Sequence, residues 1–198
     1  MKLKLIPFSI LLLILCSCTN PPVKDYQGNK EVELQEIKKS ITLTTATDSL
    51  IAELANMKTD TLDCSADIYW KIVGKGKSYI PKLIKSLTDT TPTNVIHGCK
   101  NEKLNIGELS YFALEEIGDF PASVVTQIQF DVASIKNGWS CWNFYDYLFD
   151  NRNKKEYQDK VKNFYEKSQF EYVEFPEYSI TDCIKQFKIK GRYKWQDK

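Results

Sequence analysis

The sequence predicts a mainly α-helical domain with a small β element near its C-terminus. Three observations carry that expectation. Apolar residues recur at helical spacing along most of the chain, as in Ile68, Tyr69, Ile72, Val73 and again Ile80, Leu83, Ile84, Leu87. Glycine and proline punctuate these stripes at short intervals, at Gly74, Pro81, Gly118 and Pro121. Strand-like alternation of aromatic or β-branched residues with charge is confined to Phe170–Phe175 and Phe187–Lys190, near the end.

The elements are expected in this order. A short helix runs from Asp48 to Met57, with Leu50, Ile51, Leu54 and Met57 on one face. Asp63 is positioned to cap the next helix, which Gly74 ends. Ser78 caps a third, where Pro81 in the first turn is tolerated because that N–H has no helical partner anyway. The polar run Thr88–Thr93 stops it. After a polar loop, Asn105 with Glu108 three residues on has the form of a capping box, and Leu109, Phe112, Ala113 and Ile117 form the stripe behind it. Pro121 opens a further short helix through Val124, Val125 and Ile128. Helical spacing returns from Cys141 to Phe149 and from Arg152 to Lys167, where Tyr157, Val161, Phe164 and Tyr165 line one side.

Ile80-Pro81-Lys82-Leu83-Ile84, followed by Leu87 and Asp89 and then by Gly107-Glu108-Leu109-Ser110-Tyr111-Phe112-Ala113-Leu114 with Ile117-Gly118, resembles HEAT-like repeats. The resemblance spans about residues 62–130, roughly two units. It implies short amphipathic helix pairs that present an interaction surface, and no particular chemistry.

The N-terminus has a different character. Lys2 and Lys4 precede the unbroken apolar run Ile10–Leu15, too short to span a bilayer and of the proportions of a signal-peptide core. Leu15-Cys16-Ser17-Cys18 resembles the lipobox of bacterial lipoproteins. That resemblance implies that residues 1–17 are removed, and that Cys18 carries a diacylglycerol and acyl chains such as palmitate. Cys16 is the alternative acceptor, disfavoured by the bulky Leu15 before it. Several acyl chains make a stable anchor, since each buried methylene contributes roughly 0.8 kcal/mol. The chain would then lie in the cell envelope, held to the membrane through Cys18. Thr19 leans towards the outer membrane or periplasmic face rather than the inner membrane. Residues 18–45, polar and containing Pro21-Pro22, are expected to be a flexible tether, with a single domain over 46–198.

Composition excludes some function classes. Of 27 basic residues the leader takes Lys2 and Lys4, leaving 25 against 26 acidic ones, so no bulk basic surface exists for nucleic acid. Four of the six cysteines lie beyond the leader: Cys64, Cys99, Cys141 and Cys183. In an oxidising compartment an even set points to disulfides, with three connectivities open; buried free thiols are the alternative.

Candidate sites are few. Asp60, Asp63 and Asp67 cluster at a helix start, where capping explains them better than cation binding. His97 is the only histidine, which excludes multi-histidine metal sites, and no cofactor motif is present. The densest aromatic patch contains Trp139, Trp142, Tyr145 and Tyr147, a candidate surface for gripping a protein or stacking on a sugar, with core packing as the plainer account. Lys185–Lys198 carries six basic residues against Asp197, either a protected strand edge or a contact for anionic headgroups. The sequence therefore favours a non-enzymatic scaffold binding an envelope protein. The alternatives are an envelope hydrolase acting on glycan or peptide through Asp63, Asp67, Glu115 or Glu116, and an immunity-type protein neutralising a toxin.

Overall fold

A computed structural model describes residues 48–100, 102–130 and 132–196. Cys18 and the segments expected to be a leader and a tether lie outside the described residues. The fold differs from the mainly α, HEAT-like expectation: three separate two-stranded antiparallel sheets are set between the helices, one of them near the C-terminus and two in the middle of the chain. Among the described residues the helices do not follow one another as a run of helix pairs, because the hairpins interrupt them.

The first helix, α1 (Ser49–Ala52), begins where Asp48 accepts from the Leu50 N–H, and continues as a 3₁₀ turn over Glu53–Asn56. Ile51, Leu54 and Met57 are buried, as their spacing predicts. Helix α2 (Asp67–Gly74) starts later than expected. Asp63 does not cap it; its carboxylate accepts from the Ser65 N–H and hydroxyl and from Thr61, closing a turn ahead of the helix. A 3₁₀ turn over Gly76–Tyr79 leads into α3 (Ile80–Ser86), with Pro81 in its first turn and Ile80, Leu83, Ile84 and Leu87 buried. Ser78 is no cap there, since its hydroxyl donates to the Lys75 carbonyl.

The segment Thr93–Leu104 is not a plain loop. Strands β1 (Pro92–Ile96) and β2 (Lys103–Asn105) pair antiparallel, with Val95 and Leu104 facing the core. Asn105 then starts α4 (Ile106–Ile117) with a complete capping box: its side chain accepts from the Glu108 N–H, and Glu108 accepts from the Asn105 N–H. This helix is the centre of the domain. It packs against α1, α2 and α3, and Leu109, Ala113, Leu114 and Ile117 are buried along it.

Gly107, in its first turn, lies against the end of α3. A Cβ there would sit 2.4 Å from the Leu87 carbonyl oxygen and 2.9 Å from that of Asp89. Alanine ordinarily favours a helix over glycine by about 1 kcal/mol. Here Gly107→Ala is expected to reverse that sign and destabilise by about 1–3 kcal/mol, because backbone atoms must move. A urea titration checks it; an unchanged or raised midpoint contradicts the packing described.

After α4, a short α5 (Ala122–Thr126) buries Val125 but leaves Val124 and Ile128 largely exposed. Strands β3 (Ala133–Lys136) and β4 (Trp139–Trp142) form the second hairpin, so the helix expected from Cys141 begins only at α6 (Phe144–Phe149). Helix α7 (Lys154–Lys167) buries Tyr157 and Val161 against α3, α5 and α6. The last sheet pairs β5 (Gln169–Glu174) with β6 (Gly191–Gln196). The second strand lies beyond Phe187–Lys190, because α8 (Asp182–Gln186) precedes it and Lys188 takes a left-handed conformation. Phe187 instead stacks on Trp70 at 6.3 Å. A parallel bridge between Gly118 and Tyr193 joins β6 to the end of α4.

The cysteines pair as Cys64–Cys183 and Cys99–Cys141. Two disulfides fit an oxidising envelope or secreted location. Among the described residues no helix is long and apolar enough to cross a membrane.

Candidate functional site

Among the described residues, four exposed large apolar side chains, Val132, Ile135, Trp139 and Trp142, lie in or just before the β3–β4 hairpin. Its turn is Asn137-Gly138, with both residues at positive φ (50° and 79°), the pairing that fits the twist of two antiparallel strands. Residues opposite one another in such a ladder share a face. The register pairs Ala133 with Trp142, Ser134 with Cys141, Ile135 with Ser140 and Lys136 with Trp139. Ser134, Lys136, Trp139 and Cys141 therefore form one face, and Ala133, Ile135, Ser140 and Trp142 the other.

The first face is tied to the body of the domain. Cys141 is buried in its bridge to Cys99, Lys136 is ion-paired with Asp146, and the Asn137 amide donates to the Gly98 carbonyl at 3.3 Å. The Trp139 ring lies directly on Gly98, where a Cβ would come within 2.3 Å of it. Even so, Trp139 remains 60% exposed. The second face points outward. Ile135 is 76% exposed and Val132, just before the strand, 59%. Trp142 closes the base of this face, its indole N–H donating to the Phe130 carbonyl and its ring 5.2 Å from Phe144.

The four aromatic residues singled out from sequence thus have different surroundings. Trp139 and Trp142 sit on opposite faces of the hairpin. Tyr145 is half-buried on α6, stacked on Phe149 at 5.5 Å and edge-on to His97 at 5.1 Å. Tyr147 is half-buried among Phe130, Phe144 and Tyr157, and its hydroxyl has no partner among the described residues. Ile135 and Val132 were not singled out. The signal that could have found them is Asn137-Gly138 between short alternating segments, the strongest local hairpin pattern.

His97 supports the hairpin from below. It stacks on Phe112 at 5.2 Å, and its Nδ1 accepts from the Cys99 N–H at 3.2 Å. Burial lowers its pKa, partly opposed by the Glu108 carboxylate. The imidazole therefore stays neutral and able to accept that bond, which orients Cys99 for its bridge. His97 and Cys99 do not form a thiol–imidazole pair, because the sulfur is committed to Cys141.

The four candidate carboxylates do not share one environment. Asp63 is fully exposed and engaged by Ser65 and Thr61; Asp67 is exposed and paired with Lys71 at 2.8 Å. Glu115 and Glu116 sit half-buried near the end of α4. Burial pushes the Glu115 carboxyl up to about 8 despite Arg192, and raises Glu116 as well. Glu116 lines a cleft between Val73–Ser78 and Lys188–Gly191, whereas Asp67 lines a separate depression with Asn56 and Met57.

Comparison with protein-family models, with curated proteins and with solved structures finds no match.

Proposed function

We propose that this chain is a lipid-anchored cell-envelope protein that binds a protein partner, without catalysing a reaction, through the outward face of the β3–β4 hairpin. Ile135 carries the proposal. A β-branched apolar side chain left 76% exposed, beside an exposed Val132, is a surface whose burial would contribute roughly 2–3 kcal/mol per side chain. The hairpin is also held in place before any partner arrives, by the Cys99–Cys141 bridge and the Trp139–Gly98 contact, so little ordering entropy opposes association. Aliphatic groups around the exposed edge suit apolar side chains of a protein better than a sugar ring. As a two-stranded sheet it has open outer edges, which an extended segment of a partner can extend. The lipobox-like sequence at Cys18 supports anchoring, and the disulfides suit the same compartment.

A photo-crosslinking residue at position 135, introduced into the chain in intact cells, tests this. It is expected to trap one discrete protein band, absent when the same residue replaces Tyr178, which is 93% exposed on another part of the surface. Identical patterns from the two positions would overturn the assignment of the hairpin.

A further inference from the structure

A second site lies away from the hairpin, where the turn after α2 faces the turn after α8. The two turns come together because Cys64–Cys183 holds α8 beside the approach to α2, and Phe187 stacks on Trp70. Between them is a cleft of about 520 Å³. That volume falls within the range of small-molecule sites. Lys75 and Lys77 line the cleft from the turn after α2, and Lys188 and Lys190 from the turn after α8. The wall of the cleft includes Tyr193 and the exposed Tyr172, whose rings are 5.2 Å apart.

Four lysines and a single acid line this one small cleft, which gives it an excess of positive charge. Among the described residues no ion pair joins Lys75, Lys77, Lys188 or Lys190 to a carboxylate, whereas eight other lysines have one. The Lys77 nitrogen lies 5.8 Å from the centre of the Tyr193 ring. Glu116 is the one acid lining the cleft. Its carboxyl is raised by burial, and the cation that draws it back down is Arg192 rather than any of the four lysines. Arg192 is itself turned to Asp119, at 3.4 Å. Four lysines thus share the cleft with one acid, and among the described residues that acid forms no ion pair with any of them.

We propose that this cleft binds a phosphate-bearing ligand, with the phosphate among Lys75, Lys77, Lys188 and Lys190 and its organic portion against Tyr193 and Tyr172. Phosphate fits better than carboxylate because a monoester carries close to two negative charges and three acceptor oxygens, enough to engage several ammonium groups at once. The aromatic wall gives a ring or chain next to the phosphate an apolar surface to cover. The same chemistry is offered by a free sugar phosphate and by a phosphorylated lipid headgroup.

The test uses the full chain, glucose 1-phosphate and inorganic phosphate in calorimetric titrations, and flotation with phosphatidylcholine vesicles with or without phosphatidic acid. Two double variants are compared: Lys75→Gln with Lys188→Gln in the cleft, and Lys155→Gln with Lys162→Gln on α7, which remove equal charge elsewhere. Wild type is expected to bind glucose 1-phosphate saturably and more tightly than inorganic phosphate. The cleft variant should lose roughly tenfold in affinity, while the α7 variant stays within about twofold. If the cleft variant also loses the preference for phosphatidic acid vesicles, the source is a headgroup; if that preference is absent or unchanged, it is a free phosphate. The N-terminal run with Lys2 and Lys4 is the same in wild type and both variants, so only the difference between the proteins is read. Equal losses in the two variants, or no saturable binding to either soluble probe, would overturn the site.

Discussion

Glu108→Ala is expected to lower the unfolding free energy by about 3–5 kcal/mol, the largest effect of any single substitution considered. Glu108 is 1% exposed and holds two ammonium groups: Lys154 Nζ, itself only 5% exposed, at 3.2 Å, and Lys100 Nζ at 2.7 Å. Its carboxylate also accepts from the Asn105 N–H, closing the capping box of α4. Removing it leaves Lys154 buried with the Asn105 oxygen as its hydrogen-bond acceptor, with the desolvation that already lowers the Lys154 pKa and only the weaker pull of Asp89 to offset it. The cap loss adds to this. Glu108→Gln keeps one acceptor oxygen and is expected to fall between the two. Replacing Glu108 by Leu and Lys154 by Met together should restore much of the loss, because a buried ion pair contributes little over apolar packing of the same volume. Urea titrations of the four proteins decide the matter. A loss below about 1 kcal/mol for Glu108→Ala would mean that water reaches Lys154.

Replacing Cys64 and Cys183 by serine is expected to have a comparable effect. The bridge joins residues 119 apart in sequence. The chain-entropy treatment assigns about 5 kcal/mol to closing so long a loop, with measured values for small exported domains of roughly 2–5 kcal/mol. The Cys99–Cys141 bridge encloses a separation of 42, for which the same treatment gives about 1 kcal/mol less. The two variants should also differ in where they loosen. Loss of Cys64–Cys183 frees α8 and the phosphate cleft, whereas loss of Cys99–Cys141 frees the β3–β4 hairpin and raises exchange of its amides while leaving the core protected. A thermal midpoint unchanged by the first double substitution would contradict the account of α8.

Much of the helical core is legible in the sequence, for local reasons. The Asn105–Glu108 capping box, the stripe from Leu109 to Ile117 and the Pro81 first turn each follow from chemistry within a few residues of themselves. The failures are also physical. Asp63 is a good cap by type, but Ser65 and Thr61 compete for its oxygens and the helix starts four residues later. The mainly α, HEAT-like expectation broke on hairpins only three to five residues deep, too short for periodicity to distinguish from loops. Only Asn137-Gly138 marked one of them. The four aromatic residues do not share one face: the β3–β4 ladder turns Trp139 and Trp142 to opposite sides, while Tyr145 and Tyr147 stand on α6. The phosphate cleft was beyond local reasoning altogether, because it exists only where residues 73–78 meet residues 188–193 across the fold.

The central claim is that the outward face of the hairpin is the recognition surface. Once a partner has been trapped at position 135, the decisive measurement is its affinity for wild type and for Ile135→Asp, with thermal midpoints recorded alongside. Ile135 touches little in the free protein, so the substitution should leave the midpoint within about 1 °C. A desolvated anchor is worth about 1.4 kcal/mol or more, so Kd is predicted to rise at least tenfold. Equal affinity of the two proteins, at equal stability, would contradict the claim.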